Sequence, residues 1–240
     1  MLRTGTTIIA GLASALVLSV SAYAQLPAPL EAAISRTAPA GVRSVAANVE
    51  MATSGERIVA RVTEYEVGQS EYQLLHPMSE AQLSDVQREL WDELRTDEEE
   101  DKDEDSDTLL MSENEMRELI GTRADLVRQD GGLDVYAFRP QSLGDDEDDA
   151  AIVAFLHGEI ALSGDNVAWM RLYAPESFKP NFLTRINRFD IHYRYEPVDN
   201  FNTVRLAGLT QHVVASAMGQ NVDTQIEMAF SDVEYADAGR

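Results

Sequence analysis

The C-terminal stretch 182–235 places the strongest constraint on the fold, because it contains three long segments in which apolar and polar residues alternate. In the first of these, residues 187–195, successive side chains would leave opposite faces of a strand, so the apolar ones share one face. Turn-forming sequences at 196–200 and 218–221 separate the segments. The stretch therefore predicts a three-stranded antiparallel meander with one apolar face, and the layer that covers this face has to come from elsewhere in the chain.

Shorter alternating segments upstream of the meander predict further hairpins. The expected strand pairs are 45–51 with 59–67, 125–128 with 133–139, and 151–162 with 167–173. A short strand at 72–75 brings the expected number to about nine or ten. Because consecutive hairpins place sequence neighbours side by side, the strands are expected to form a mostly antiparallel sheet.

Helical periodicity appears in the middle of the chain. Residues 79–94 have apolar residues at helical spacing, and Ser79 with Gln82 has the form of a capping box at the start of this segment. A second helix is expected at 112–120, and one or two helical turns at 30–35. The sequence thus predicts an α+β fold, in which two or three helices cover the apolar face of the sheet.

Residues 1–24 have the pattern of a secretory signal peptide, with Arg3 followed by an apolar core and a small-x-small site before Ala24. Cleavage is expected after Ala24, which leaves a single domain at 25–240 located in the periplasm. The sequence contains no cysteine, which excludes disulfides and attachment of lipid to a new N-terminal Cys. No later stretch reaches the ~20 apolar residues of a membrane-spanning helix, so we expect a protein that is not integral to the membrane.

The formal charge of −23 is concentrated in two short runs. Residues 97–107 contain nine acidic residues and one lysine, and residues 145–149 are all acidic. Self-repelling runs of this kind predict disordered, solvated insertions, here at 95–108 and 144–150. The negative balance also argues against nucleic acid or an anionic membrane surface as a partner.

Two short segments near the C-terminus resemble a known family. These segments, YRYEP at 193–197 and FSDVEY at 230–235, are similar to the C-terminal end of bacterial outer-membrane lipoprotein-sorting proteins, the LolA/LolB-like superfamily of periplasmic carriers. The resemblance implies a strongly curved antiparallel half-barrel with helices in its concave face. It also implies an apolar cavity between sheet and helices that takes acyl chains.

The candidate ligand site consists of apolar side chains expected on the inner face of the sheet. They are Val167, Trp169, Tyr173, Phe189, Ile191, Tyr193, Ile226, Met228 and Phe230. Aromatic residues and methionine suit an adaptable apolar pocket, although the same stripe is also what a solid core would contain. Arg188, Arg194 and Arg205 are the candidates for contact with a lipid head group or an acidic partner, the alternative being an ordinary solvated face.

Catalytic signatures are absent from the sequence. There is no Gly-x-Ser-x-Gly elbow and no cysteine, and the four histidines are far apart. His157 with Glu159, and Asp190 with His192, each share a strand face, but they lack the spacing signature of a metal site. We therefore expect no catalytic residues, no metal and no cofactor.

Two functions remain open at this point. The first is a non-enzymatic periplasmic carrier that holds an acyl chain, a lipoprotein or another apolar ligand between curved sheet and helices, by burial of hydrocarbon. The alternative is a structural or interaction module of the cell envelope, which has a solid core and binds a partner protein through its acidic loops. An enclosed apolar cavity would favour the carrier, and a filled interior would favour the module.

Overall fold

The chain folds into ten strands and four helices within the residues that the computed structural model describes, namely 26–36, 42–65, 69–100, 113–143, 147–198, 203–217 and 219–237. The strands are β1 (Val42–Thr53), β2 (Glu56–Tyr65), β3 (Gln69–His76), β4 (Ala124–Asp130), β5 (Leu133–Phe138), β6 (His157–Ser163), β7 (Asn166–Tyr173), β8 (Thr184–Val198), β9 (Thr203–Ala217) and β10 (Gln220–Asp237). The helices are α1 (Ala28–Ile34), α2 (Asp85–Glu100), α3 (Glu113–Ile120) and α4 (Glu147–Val153).

All ten strands belong to one antiparallel sheet in the order β3-β2-β1-β10-β9-β8-β7-β6-β5-β4. Nearly every neighbour in the sheet is also a neighbour in sequence, as the hairpin pattern predicts, and the predicted meander β8-β9-β10 is confirmed. The exception is the long-range pair β1 and β10, which joins the first strand to the last. This pairing places the two ends of the domain in the middle of the sheet and leaves β3 and β4 as its edges.

The two faces of the sheet differ in chemistry. A row of directly paired apolar residues crosses five strands on the face that we call the inner face: Met228, Leu209, Tyr193, Met170 and Ile160. The adjacent row, on the outer face, is polar: Glu227, Thr210, His192, Arg171 and Glu159. Alternation along each strand produces this separation.

Helices cover the inner face. Leu30 and Ile34 of α1, Met116 of α3 and Trp91 of α2 are buried in the same apolar cluster as the inner-face residues of the strands. Helix α2 contacts β1, β2 and β3, whereas α1 contacts α3 and β7. Register shifts interrupt five of the ladders, and such bulges bend and twist the strands that contain them. The predicted fold class is confirmed: an α+β protein with one curved antiparallel sheet and helices on one face.

The helix predicted at 79–94 exists, but both of its ends differ from the prediction. A 3-10 turn occupies Glu80–Gln82, and Leu83 is extended, with φ −66° and ψ 133°, so α2 begins only at Asp85. The capping box forms at Ser84 rather than Ser79: the Gln87 backbone N–H donates to Ser84 Oγ, and the Ser84 N–H donates to Gln87 Oε1, both at 3.1 Å.

The prediction of a strand at 151–162 is wrong for the first half of this segment. Helix α4 occupies Glu147–Val153, and a turn in which Phe155 N–H donates to Ile152 O at 3.0 Å ends it before β6 begins at His157. Residues 150–156 are a short continuous apolar run, which fits either a buried strand or a helix segment. Two alanines at 150–151, which favour helices, are consistent with the observed one.

The acidic segments are partly helical. Helix α2 continues through Glu100, so 95–100 do not belong to a loop, and 147–150 form the start of α4. Residues 101–108 and 144–146 lie outside the described residues, as does the predicted signal peptide at 1–24. Within the described part of the chain, no helix is long and apolar enough to cross a membrane.

Candidate ligand site between helix α2 and the sheet

A cavity of about 230 Å³ lies under α2, against the inner face of the sheet. Five strands and the helix contribute to its wall. The lining residues are Val49, Val62, Glu64, Tyr72, Glu93, Leu94, Leu209, Gln211, Ile226, Met228 and Phe230. Most of them are apolar, so the cavity offers hydrocarbon surface to a ligand.

The first half of helix α2 is held by polar contacts to β2 and to the 3-10 turn before the helix. Gln87 Nε2 donates to the Arg57 carbonyl oxygen at 3.0 Å, and Trp91 Nε1 donates to Glu80 Oε1 at 2.9 Å. Trp91 is almost fully buried, and Leu94, one turn further on, lines the cavity. The beginning of the helix is therefore held in place, and Glu93 and Leu94 lie over the cavity.

The polar part of the cavity wall is acidic. Glu64 is only 7% exposed, and Glu93 of α2, the Tyr72 hydroxyl group and the Gln211 amide complete this part of the wall. No arginine or lysine lines the cavity among the described residues. Carboxylates favour a cationic or hydrogen-bond-donating group over an anionic one.

Seven of the nine predicted ligand-site residues lie on the inner face, but only three of them line the cavity. These three are Ile226, Met228 and Phe230 of β10. Phe189, Ile191 and Tyr193 of β8 lie on the same face further along the sheet, and Val167 of β7 is 1% exposed in the core. Burial raises the pKa of Tyr193 to about 12.

The prediction for Trp169 and Tyr173 is wrong, because a bulge in β7 reverses the direction of its side chains. Between Val167 and Trp169, β7 has one residue more than β6, namely Ala168. Beyond this residue the alternation is shifted by one position, so Trp169 and Tyr173 lie on the outer face. The Trp169 ring packs there against His192, with ring centroids 5.5 Å apart.

The three candidate arginines do not lie at the cavity. Arg188 and Arg194 are on the outer face, and Arg188 Nη2 is 3.4 Å from Asp190 Oδ2. Arg205 is paired with Glu196 on the neighbouring strand, Nη2 to Oε2 at 2.7 Å. A ligand in the cavity would therefore meet Glu64 and Glu93 rather than these arginines, and the expected head-group contact is not supported by their positions.

A polar cleft of about 500 Å³ occupies the outer face. Two bidentate ion pairs cross it: Arg128 with Glu159 at 2.8 and 2.9 Å, and Arg171 with Asp190 at 2.8 Å for both bonds. The hydrogen bonds from Arg171 lower the pKa of Asp190, and those from Arg128 lower the pKa of Glu159. Burial lowers the pKa of His192, which disfavours its charged form.

The residues of the metal hypothesis share this outer face. His157, Glu159, Asp190 and His192 all lie on it, but both carboxylates are occupied by arginines. No group of three or more potential metal ligands is present among the described residues. The geometry is that of a charge network across a solvated sheet face rather than of a metal site.

Several cavity residues were not predicted. Val49, Val62 and Leu209 occupy inner positions that strict alternation along their strands already indicates. Glu64 is more informative, because it follows Ile58, Ala60 and Val62 at alternate positions of β2. An acidic residue in such an apolar row indicates that a polar side chain lies in the interior of the protein.

Comparison with known proteins gives one structural match. No protein-family model and no curated protein matches the chain. A crystal structure of a LolA superfamily protein from Nitrosomonas europaea is similar over 87% of this chain and 92% of that protein, with 13% identity and a TM-score of 0.38. This is the superfamily that the segments at 193–197 and 230–235 resemble.

Proposed function

We propose that this protein is a non-enzymatic periplasmic carrier that holds an acyl chain, or another apolar ligand such as the lipid part of a lipoprotein, between α2 and the sheet. The observation that supports the proposal is the apolar cavity under α2. The alternative function, an envelope module with a solid core, does not require a cavity of this kind. Nothing in the described residues favours that alternative.

The size of the cavity limits what it holds. Ligand pockets are typically about 300–1,000 Å³, and the cavity of about 230 Å³ lies slightly below that range. At about 30 Å³ per methylene, close to the volume of one liquid water, it accommodates about eight methylenes. The cavity therefore suits one segment of a chain rather than a whole lipid.

The inner face provides further apolar surface beyond the cavity. From Leu209 the inner positions of β9 continue through Val213 and Ala215, which are half-buried. Val222 of β10 is paired with Ala215 and is 54% exposed. At about 3.3 Å per residue, this track extends for about 20 Å along the strand. A longer chain would lie along it after filling the cavity.

The acidic wall sets the expected head-group preference. Glu64 and Glu93 line the same space as the apolar side chains, without an arginine or lysine among the described lining residues. Amine- or hydroxyl-terminated chains are therefore expected to bind more tightly than carboxylates of equal length.

A matched pair of substitutions tests the proposal. Leu209→Trp places a large side chain in the cavity, whereas Thr210→Trp places the same side chain on the outer face one residue later. We expect native mass spectrometry with lipid extraction to detect an apolar ligand on the wild-type protein and on Thr210→Trp, but not on Leu209→Trp. Absence of a co-purifying or added apolar ligand on the wild-type protein, or equal loading of both variants, would contradict the proposal.

Periplasmic location is part of the proposal and has its own test. The support is the signal-like sequence at 1–24. We expect the protein recovered from the periplasmic fraction to begin at Gln25. A protein retained in the cytoplasm with its original N-terminus would contradict this part without affecting the ligand site.

A further inference from the structure

The loop 174–183 between β7 and β8 exposes large apolar side chains at one end of the sheet. Phe182 is 89% exposed and Leu183 is 46% exposed. Phe155, 42% exposed, stacks on Phe178 of this loop with ring centroids 4.6 Å apart. We call the adjacent residues Phe182 and Leu183 the apolar tip. Contiguous exposed apolar side chains, unlike single ones, are a feature of surfaces that contact a protein or a membrane.

The backbone of the loop is held in place, so the exposure of Phe182 does not result from a lack of local structure. Asn181 Oδ1 accepts hydrogen bonds from the backbone N–H groups of Leu183 at 3.0 Å and Thr184 at 2.9 Å. Phe178 and Ile186 exchange two backbone hydrogen bonds of 2.9 Å. The apolar tip is therefore presented in a preformed conformation.

Basic residues lie close to the apolar tip in sequence. Residues 177–189 contain Lys179, Arg185 and Arg188 and no acidic residue, whereas Glu176 and Asp190 flank this stretch and the formal charge of the whole chain is −23. Arg188 is close to Asp190, which leaves Lys179 and Arg185. Arg185 donates to Ser177 Oγ at 2.9 Å. Among the described residues, no carboxylate lies within ion-pair distance of Lys179 or Arg185. Two cations thus remain available beside the exposed ring.

We propose that the apolar tip enters the interfacial region of a phospholipid bilayer, where Lys179 and Arg185 pair with lipid phosphates. Aromatic rings with nearby basic residues are favourable at this depth, because the ring is buried while the charged ends stay in the head-group layer. A protein partner would need a contact of about 800 Å² on each side. The few apolar side chains of the tip are too small for a contact of that area, but they are enough for shallow insertion into a bilayer.

The charge distribution also selects the kind of bilayer. A chain of formal charge −23 is repelled by a strongly anionic surface. Zwitterionic phospholipids still present phosphates to Lys179 and Arg185 without this repulsion. The expected surface is therefore zwitterionic, and the contact is weak and reversible.

This inference does not depend on the proposed carrier function. Vesicle binding requires the apolar tip, whereas ligand uptake requires the cavity. A different substitution removes each of the two properties. Leu209→Trp should bind vesicles like the wild-type protein, and Phe182→Ser should still take up an apolar ligand. Failure of one proposal is thus distinguishable from failure of the other.

Flotation of the purified protein with phosphatidylcholine vesicles tests the inference. Phe182→Ser should lower the vesicle affinity by about tenfold, the size expected for loss of one largely inserted aromatic side chain. Met78→Ser is the matched control, because Met78 is 83% exposed but lies before α2, away from the loop. It should leave the affinity unchanged, and Lys179→Gln with Arg185→Gln should lower it.

A second variant distinguishes a loss of vesicle binding from misfolding of the protein. Phe182→Trp should bind vesicles and shift its fluorescence to shorter wavelength when they are added. The inference is overturned if the wild-type protein does not float with phosphatidylcholine, or if Met78→Ser binds as poorly as Phe182→Ser. It is also overturned if affinity rises steadily with the fraction of phosphatidylglycerol. Self-association that depends on Phe182, without vesicle binding, would instead assign the tip to a second copy of the chain.

Discussion

A cavity of defined volume predicts how affinity depends on the length of an alkyl chain. Each methylene buried from water contributes about 0.8 kcal/mol, which corresponds to about a fourfold gain in affinity per methylene. The space of about 230 Å³ under α2 holds about eight methylenes at about 30 Å³ each. A filled cavity then gains about 6.4 kcal/mol, which corresponds to a Kd of about 20 μM before the cost of immobilising the ligand is subtracted.

Straight-chain primary alcohols make a suitable series, because the hydroxyl group is uncharged and suits the acidic part of the wall. Isothermal titration calorimetry should show affinity rising about fourfold per carbon up to about eight carbons. Beyond that length the gain per carbon should fall, because the chain continues along the half-exposed track at Val213 and Val222. The heat capacity of binding should be negative, as burial of apolar surface requires.

Controls separate the cavity from general adsorption. Leu209→Trp should abolish binding of octanol, and Thr210→Trp should retain it. If affinity does not depend on chain length, the ligand is not buried under α2. If it keeps rising fourfold per carbon through much longer chains, the bound space is far larger than the observed cavity. Either result would refute the reasoning from volume.

Three substitutions elsewhere test the remaining structure. Asp190→Asn should lower the free energy of unfolding by about 1–2 kcal/mol at pH 7. The hydrogen bonds from Arg171 lower the folded-state pKa of Asp190 below its unfolded value of about 4. Urea unfolding should therefore show the difference between the two proteins above about pH 4 and lose it as the pH falls through the folded-state pKa. A difference that persists in acid would show that the carboxylate charge is not its source. Gly158→Ala should destabilise by about 1–3 kcal/mol in the same assay, since its Cβ would lie 2.2 Å from the Phe138 ring; an unchanged midpoint would mean that this ring is free to move. Arg194→Ala should leave the affinity for octanol unchanged in calorimetry, because Arg194 lies on the outer face. A large loss of affinity would instead show that Arg194 contributes to ligand binding.

The architecture was predictable because the signals for it are local. Alternation in β8, β9 and β10, together with the turn sequences between them, was enough to predict the meander. Hairpin order then predicted an antiparallel sheet, and helical periodicity placed α2 and α3 approximately. The pairing of β1 with β10 had no local signal, since it joins residues almost 200 positions apart.

The ligand site was predicted only in part, because single-residue shifts have large consequences in a sheet. The extra residue Ala168 moved Trp169 and Tyr173 to the outer face, and the four consecutive apolar residues at 167–170 provide no alternation that indicates this shift. A bulge is a property of two paired strands, and it cannot be read from one strand alone. Ile226, Met228 and Phe230, on a strand whose pairing with β9 has no such shift, were placed correctly on the inner face.

The position of the cavity follows from how unequally the helices fill the inner face. Helices α1 and α3 bring Leu30, Ile34, Met116 and Ile120 into the core, each at most 1% exposed, so that arm of the sheet is packed solidly. Helix α2 buries Leu90, Trp91 and Leu94 on the side of the sheet formed by β1, β2 and β3. The cavity lies beside Leu94, where the charged Glu93 also lines the wall. A charged side chain does not fill apolar space, because it avoids burial, and the site therefore remains open at this point of the helix.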